Sequence, residues 1–563
     1  MLALLCLLLL LFKGQCGVSI TPLAAVSVPK NGTFAEEGNK SYPQRIDLLP
    51  ALCAVTLRVT NTSSQPVSTF KVGLFLPEVY TKRLLTVGSG SFSGGINWPG
   101  MAEGVHYGFA TISSDNGHDS AMADLSWGLS SSQDRKGEAD GRLLDWGYRA
   151  VHGSVVIGRL ITDKYYGPAY GKILYSYFSG CSTGGRQGLR EAQYDAASFD
   201  GMLIGAPAWD TKHLMPWISS VAYELLWGGG GGNGERRREE EVLDARAMGV
   251  LAAEVQRQCD AADGVVDGVI SAPDLCQQVD LRGITCEGDP GRCISPRQAE
   301  VVMQIWGDWK VGKGNTTVYH GFSKGSEDQW AVYFGDKGTL RGFDFDYWRF
   351  WVMNQTDWDW RGNWGDGESV ARESERVNPG QATADDFERM EGFKRKGGKI
   401  VMYHGLSDGI LSPRSSMFFY NQMRAALNEK DVEGKDTRGW FRYFEVPGMQ
   451  HCWFSNRYNA PWHFGGSGQA TQLRLLPYLG VGLPALGDGW SVPGHLGDAE
   501  YDALVALVRW VEGGDDKPVE RVVATAYDAG FKVYRTRPLC AWPERAVYRG
   551  AGDVNDASSW ECA

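Results

Sequence analysis

Between Ile173 and Pro207 the chain runs through a short apolar segment, ILYSYFS (Ile173 to Ser179), a polar helix-like segment (Arg186 to Ala197) and a second apolar segment, MLIGAP (Met202 to Pro207). Short uncharged runs of this kind are what strands buried on both faces look like, and two parallel neighbours need a crossover, which a helix supplies. The order strand, helix, strand is the unit of a doubly wound α/β sheet. At the first junction stands Gly180-Cys181-Ser182-Thr183-Gly184, which fits G-x-S-x-G. In that position the pattern describes a sharp turn whose small glycines relieve crowding and whose serine hydroxyl projects from the sheet edge.

Other segments extend the sheet in both directions. CAVTLRV, FKVGLFL, RLLTVG and YGFATIS, between Cys53 and Ser114, read as short strands separated by Gly, Pro and Ser/Asn clusters. KIVMYH (Lys399 to His404) and FRYFEVP (Phe441 to Pro447) read as two more. They are followed by an amphipathic helix with Tyr501, Leu504, Val505, Val508 and Val511 on one face and Gly513 to stop it. The nearly two hundred residues between these groups differ in character, with a Gly tract and basic run (Gly228 to Glu240), four closely spaced cysteines and an aromatic-dense stretch. The expected organisation is an α/β-hydrolase fold over 16–208 and 396–563, interrupted by an inserted lid domain over 209–395.

Composition excludes other classes. With 563 residues, 43% hydrophobic and 22% charged, the chain holds roughly two to four cored domains. A formal charge of −11 has the wrong sign for neutralising phosphates, so nucleic acid and anionic membrane are not expected partners. Met1 to Phe12 is a Leu-rich run too short to span a bilayer but of signal-peptide length, although Lys13 follows it rather than a basic region preceding it. Residues 1–15 are accordingly expected to be a secretion signal. Eleven cysteines, less Cys6 within it, leave an even ten. The N-x-[ST] sequons at Asn31, Asn39, Asn61, Asn315 and Asn354 agree with a glycosylated extracellular protein.

A serine hydroxyl needs a base to become a nucleophile, and the base needs an acid to hold its tautomer. In α/β-hydrolases these follow the serine in the order acid, then histidine, each on a loop after a core strand. Asp408 follows KIVMYH in the loop HGLSDGILSP, and His451 follows FRYFEVP in GMQHCWF. Cys181 precedes the proposed nucleophile and Cys452 follows the proposed base, so a bridge between them would tether one to the other. His118, His152 and His404 have no such neighbour and read as structural. Thr183, at the helix start, offers an N–H to an oxyanion.

The block SYFSGCSTGGRQGLREAQYDAASFDGMLIGAPAWD, the loop HGLSDGILSP and the loop PGMQHCW together resemble the tannase and fungal feruloyl esterase family, from about Cys53 to Val511. The resemblance implies a serine hydrolase with Ser182 as nucleophile, His451 as general base, Asp408 as orienting acid and a Cys181–Cys452 disulfide. It aligns VGSGSFSGG (Val87 to Gly95) with the family's glycine-rich oxyanion loop, where Ser91 replaces a usual glycine and the second donor is Gly90 or Ser91.

In the insertion, CDAADGVVDGVISAPDLC places Asp260, Asp263 and Asp267 on a tight loop that Cys259 and Cys276 can close. Hard carboxylate oxygens with the carbonyls of Val265 and Val269 suit Ca²⁺; a solvated acidic turn is the alternative. The resemblance implies the former, as a structural ion remote from the serine. Proximity and the resemblance pair Cys286 with Cys293 and Cys540 with Cys562, which leaves Cys16 with Cys53. The aromatic run from Phe343 to Trp364 either paves a lid over the site or forms the small domain's core. The Arg236 to Arg238 run reads as a solvated loop, or else as a processing site.

The sequence thus reads as a secreted serine esterase. The acyl group follows from the resemblance alone: phenolic acids, with feruloyl esters of plant cell walls ahead of galloyl esters. A catalytically silent carbohydrate- or phenol-binding protein on the same scaffold is the alternative from another class, and a serine peptidase is a third.

Overall fold

Nine strands form the sheet. In the computed structural model, which describes residues 17–130, 141–226, 243–286, 293–334, 343–359, 363–429, 435–455, 460–469, 498–514, 516, 519–528 and 532–563, they are β1 (Val18–Val28), β2 (Leu52–Asn61), β3 (Ser68–Pro77), β4 (Arg83–Val87), β5 (Ala110–Ser114), β6 (Tyr175–Cys181), β7 (Gly201–Gly205), β8 (Lys399–Gly405) and β9 (Phe441–Val446). Their spatial order is β1-β2-β3-β5-β4-β6-β7-β8-β9. The first three pairings are antiparallel and every pairing from β5–β4 to β8–β9 is parallel. Every strand read from sequence is present. The edge strand β1, outermost and mostly exposed, was not anticipated, because a strand with little buried surface carries little apolar signal.

Period-two alternation sorts the central strands onto two cores. Phe178, Met202, Ile204, Ile400 and Met402 point to one face, and Tyr177, Leu203, Val401 and Tyr403 to the other. The helices are α1 (Trp98–His106), α2 (Ala150–Tyr170), α3 (Thr183–Tyr194), α4 (Thr211–Leu226), α5 (Ala245–Cys259), α6 (Pro296–Trp306), α7 (Gly367–Val377), α8 (Pro413–Ala426) and α9 (Ala503–Gly513), with shorter turns between. α3 and α8 cover the first face with Leu189, Ala192, Phe419 and Met423. α1 and α9 cover the second with Trp98, Met101, Leu507 and Trp510. On α9 Leu504 is buried and Val505, Val508 and Val511, half-buried, pack against this core as expected; Leu507 and Trp510 widen the buried face, and the helix is capped by the left-handed Gly514.

Between β7 and β8 no described strand joins the large sheet. α4 to α7 pack around an aromatic centre that includes Trp217, Trp330, Tyr347 and Trp351 and continues into Phe92, Trp127 and Trp146 from the sheet's own loops. Ala384, Met390 and Phe393 already belong to the core of the sheet. The chain therefore returns to the sheet before the expected boundary at 395, because the segment ahead of β8 needs apolar cover of its own. A hairpin, β10 (Arg521–Tyr527) with β11 (Val533–Cys540), follows α9.

Candidate active site

The turn after β6 puts Ser182 at φ 62°, ψ −125°, a conformation rarely tolerated by a residue with a side chain. The neighbours hold it there. Its N–H donates to the Gly205 carbonyl at 3.0 Å, and its own carbonyl accepts from the N–H groups of Arg186 and Ala208, each at 3.0 Å. The flanking glycines are required by close approach. A Cβ on Gly180 would lie 2.7 Å from the Gly184 carbonyl, and one on Gly184 would lie 3.2 Å from Gly88 in the loop after β4.

α3 begins at Thr183, so the Thr183 N–H is one of the helix's unsatisfied first donors, and it makes no hydrogen bond among the described residues. Of Gly90 and Ser91, one N–H is taken by a residue that the sequence does not signal. The Gly90 N–H donates to the Tyr42 hydroxyl oxygen at 2.9 Å, whereas the Ser91 N–H has no acceptor among the described residues. Ser91 sits at φ 53° with its hydroxyl donating to the Met122 carbonyl. Burial pushes the Tyr42 phenol above its ordinary pKa, keeping it protonated. Nothing in the sequence around Tyr42 signals this contact, which spans 48 residues.

Asp408 follows β8 and is fully buried. Its Oδ1 accepts from the N–H groups of Ile410 and Leu411 at 2.8 Å each. Its Oδ2 lies 2.7 Å from His451 Nδ1 and 2.9 Å from His404 Nε2. Burial would raise the Asp408 carboxyl, but the His451 charge and the hydrogen bonds from both imidazoles outweigh it and hold the group well below the carboxylate range. The ionised Asp408 accepts from His451 Nδ1, which orients the ring and leaves Nε2 as the nitrogen not engaged by the acid. His404, read as merely structural, is a second imidazole on the same carboxylate, itself fixed by Ser416 Oγ at 2.7 Å from Nδ1. Its four-residue spacing from Asp408 was the available signal. His118 and His463, buried and lowered to about 4 and about 3, stay neutral and packed.

Cys181 and Cys452 are bridged with Cα atoms 6.0 Å apart, and Ser182 and His451 line one cavity of about 400 Å³. Its walls come from both domains: Trp146 and Trp453 from the sheet's loops, Leu214 and Met215 from α4, and Tyr333 from the insertion. Behind Trp146 the buried guanidinium of Arg186 stacks on the indole at 4.2 Å and donates to the Gly147 carbonyl at 2.7 Å, with burial lowering its pKa to about 9. Of the aromatic run, Tyr347 and Trp351 are lid core, with Trp351 4.9 Å from Trp146. They brace the cavity wall from behind rather than paving it.

The bridges Cys259–Cys276, Cys286–Cys293 and Cys540–Cys562 are present. Cys53 is disulfide-bonded, and Cys16 lies outside the described residues, as do the leader and the Arg236 to Arg238 run. Asn31 and Asn315 are exposed on left-handed turns, while Asn61 and Asn354 are half-buried. Asn39 is a correction: only 6% exposed, it donates from Nδ2 to Glu36 and to the Ile96 carbonyl, leaving no room for a glycan in the folded protein.

On the acidic loop, Asp260 accepts from the Gly268 N–H, Asp263 from Val265 and Asp267 from Val269. Asp267 Oδ2 is paired with Arg537 of β11 at 2.5 Å, and the three carboxylates are not gathered as closely as His152, Glu191 and Asp195, whose donor atoms fall within 4.8 Å of one another. The donor chemistry nevertheless fits a hard cation: Asp263 Oδ2 is buried without a hydrogen bond, and burial raises the carboxyls of Asp260 and Asp263.

The chain is similar to known proteins. A family model described as tannase and feruloyl esterase matches residues 53–340 and 371–563. A probable feruloyl esterase B-2 of Aspergillus fumigatus is 29% identical over 516 residues, covering 91% of this chain and 86% of its own. One from Aspergillus terreus is 30% identical with the same coverage. Among solved structures, feruloyl esterase B from Aspergillus oryzae superposes with a TM-score of 0.78 at 27% identity, over 97% of both chains. The tannin acyl hydrolase from Aspergillus niger shares the fold, with a TM-score of 0.73 at 20% identity, over 100% of this chain and 95% of that one. The chain belongs to the tannase and feruloyl esterase family, and it is a carboxylic ester hydrolase.

Proposed function

We propose that the protein is a secreted serine esterase that releases ferulic-type phenolic acids from plant cell-wall esters, with Ser182, His451 and Asp408 as its triad. The observation that carries this reading is the His451 imidazole, fixed by the buried Asp408 carboxylate at 2.7 Å and sharing one cavity with the strained Ser182 turn. In the first step His451 Nε2 takes the Ser182 proton as Oγ attacks the ester carbonyl, while Asp408 stabilises the imidazolium. The Thr183 and Ser91 N–H groups, both without acceptors among the described residues, receive the oxyanion. Collapse expels the alcohol or sugar, protonated by His451, and leaves an acyl-enzyme. Water, deprotonated by the same imidazole, then releases the acid.

Support for the phenolic acyl group is twofold. The cavity is apolar and walled by flat side chains, which suits an aromatic acid. The curated relatives at 29–30% identity carry the name feruloyl esterase B, while the tannin acyl hydrolase stands at 20%. Secretion is supported by the bridges Cys181–Cys452, Cys259–Cys276, Cys286–Cys293 and Cys540–Cys562. Glycans at Asn31 and Asn315 are supported by their exposure. We infer a structural Ca²⁺ held by Asp260, Asp263, Asp267 and the carbonyls of Val265 and Val269, which would neutralise the loop's excess negative charge.

The test is hydrolysis of methyl ferulate and methyl gallate by the secreted protein and by Ser182→Ala. Ferulate is expected to be preferred, with kcat falling by about 10⁴-fold or more in the variant. Gallate preference would move the assignment to tannase, and turnover surviving Ser182→Ala would overturn the triad.

A further inference from the structure

The loops that carry the acid and the base leave adjacent parallel strands, β8 and β9, and no described hydrogen bond fixes the Gly409 or His451 N–H to the sheet itself. Both donate instead to one atom of the insertion, Gln329 Oε1: Gly409, next to the acid, at 2.9 Å, and His451, the base itself, at 3.2 Å. A carbonyl oxygen has two lone pairs, so this one acceptor is fully used by the two loops. We propose that Gln329 is a positioning residue through which the inserted domain sets the Asp408–His451 geometry, an inference that rests on the triad proposed above.

Two further observations support it. The turn bearing Gln329, Glu327–Gln329, is rigidly held: Glu327 is fully buried and accepts from Trp306 Nε1 at 2.9 Å and from the Gly325 N–H, while Ser326 Oγ donates to the Ser323 carbonyl and accepts from Trp330 Nε1. The turn also meets the acid loop at backbone contact. A Cβ on Gly409 would lie 2.6 Å from the Ser326 carbonyl oxygen and 2.9 Å from both Gln329 Cβ and Trp330. The glycine after the acid is thus where lid and acid loop touch, and a neutral acceptor there ties both loops without adding charge beside the imidazole.

The experiment compares Gln329→Met, which keeps the volume and removes the acceptor, with Gln329→Glu, which keeps an acceptor and adds a negative charge. Steady-state kinetics on the preferred ester are measured across pH, with Tm alongside. Gln329→Met is expected to lower kcat by about 10- to 100-fold while KM stays within about twofold, because a misplaced base slows the proton transfer more than binding. Gln329→Glu is expected to recover most of kcat and to move the acidic limb of the profile to higher pH, since the nearby negative charge stabilises the imidazolium. A kcat for Gln329→Met within twofold of wild type, or equal losses in both variants with no pH displacement, would overturn the proposal. Should Gln329→Met not fold, Gly409→Ala, which forces the same contact apart, is expected to lower kcat likewise.

Backbone hydrogen exchange on Ser182→Ala with and without Gln329→Met separates the brace from the chemistry. Faster exchange in both 405–411 and 449–454 is expected whether or not Ser182 is the nucleophile, and unchanged exchange would sink the brace alone.

Discussion

The sheet and the inserted domain solve different problems. Around β6, β7 and β8 residues are placed by strand alternation and, at Gly180, Gly185, Gly205 and Gly405, by contacts too close for a Cβ, and the result is a strained serine held by backbone hydrogen bonds. The insertion is built from helices around tryptophans, closed by short-range bridges at Cys259–Cys276 and Cys286–Cys293. Toward the site it supplies apolar wall and the Gln329 carbonyl oxygen. Chemistry is concentrated where the backbone has no freedom, and the region that shapes the cavity is held mainly by side-chain packing, which tolerates variation better than backbone contact does.

The sharpest way to break this contrast is to disturb each region and ask whether chemistry or stability suffers. Asp408→Asn removes the charge that fixes the His451 tautomer but keeps the shape. We expect kcat to fall by about 10⁴-fold with an unchanged circular dichroism spectrum; more than a tenth of the activity surviving would show that His404 and the loop backbone suffice. Trp351→Ala empties the lid core behind Trp146 and is expected to cost about 3–5 kcal/mol in denaturant unfolding. Its kcat on folded protein is expected to stay within a few-fold of wild type and its KM to rise. A collapse of kcat without loss of stability would mean that the two regions are not separable.

The smallest effect concerns pH. Burial pushes the Glu327 carboxyl up to about 7, above its ordinary 4.5, against the hydrogen bonds from Trp306 and Gly325 that favour the charged form. The fold thus prefers the protonated group, and that stability is fully present at pH below about 4.5 and lost as pH rises through about 7. Glu327→Gln carries no such dependence. We expect its Tm relative to wild type to climb between pH 5 and 8, by an equivalent of at most about 3 kcal/mol; parallel Tm curves would show that the lid turn is not held by a protonated acid.

The nucleophile turn, the acid and base loops and the bridging cysteines were legible because each is local: a motif at a strand end, or a residue a few positions past one. His404 is legible in principle, four residues from Asp408, but it has no neighbouring cysteine to mark it as the Cys181–Cys452 bridge marks His451. Tyr42, which takes the Gly90 N–H, and Gln329, which takes those of Gly409 and His451, were not legible, since each acts across a separation set by the packing of whole elements. The same holds for Asn39, whose sequon is intact while its amide is consumed inside the protein.

The sequence by itself determined the parallel α/β part of the sheet, the strand ends that carry Ser182, Asp408 and His451 and the presence of an insertion, because strand periodicity and turn chemistry are written in consecutive residues. Only the tertiary structure decided which of the Gly90 and Ser91 N–H groups is taken, how far the buried face of α9 extends, and how the insertion reaches the loop of His451. Those outcomes depend on which distant groups compete for one donor, acceptor or patch of apolar surface, and that competition exists only once the chain has packed.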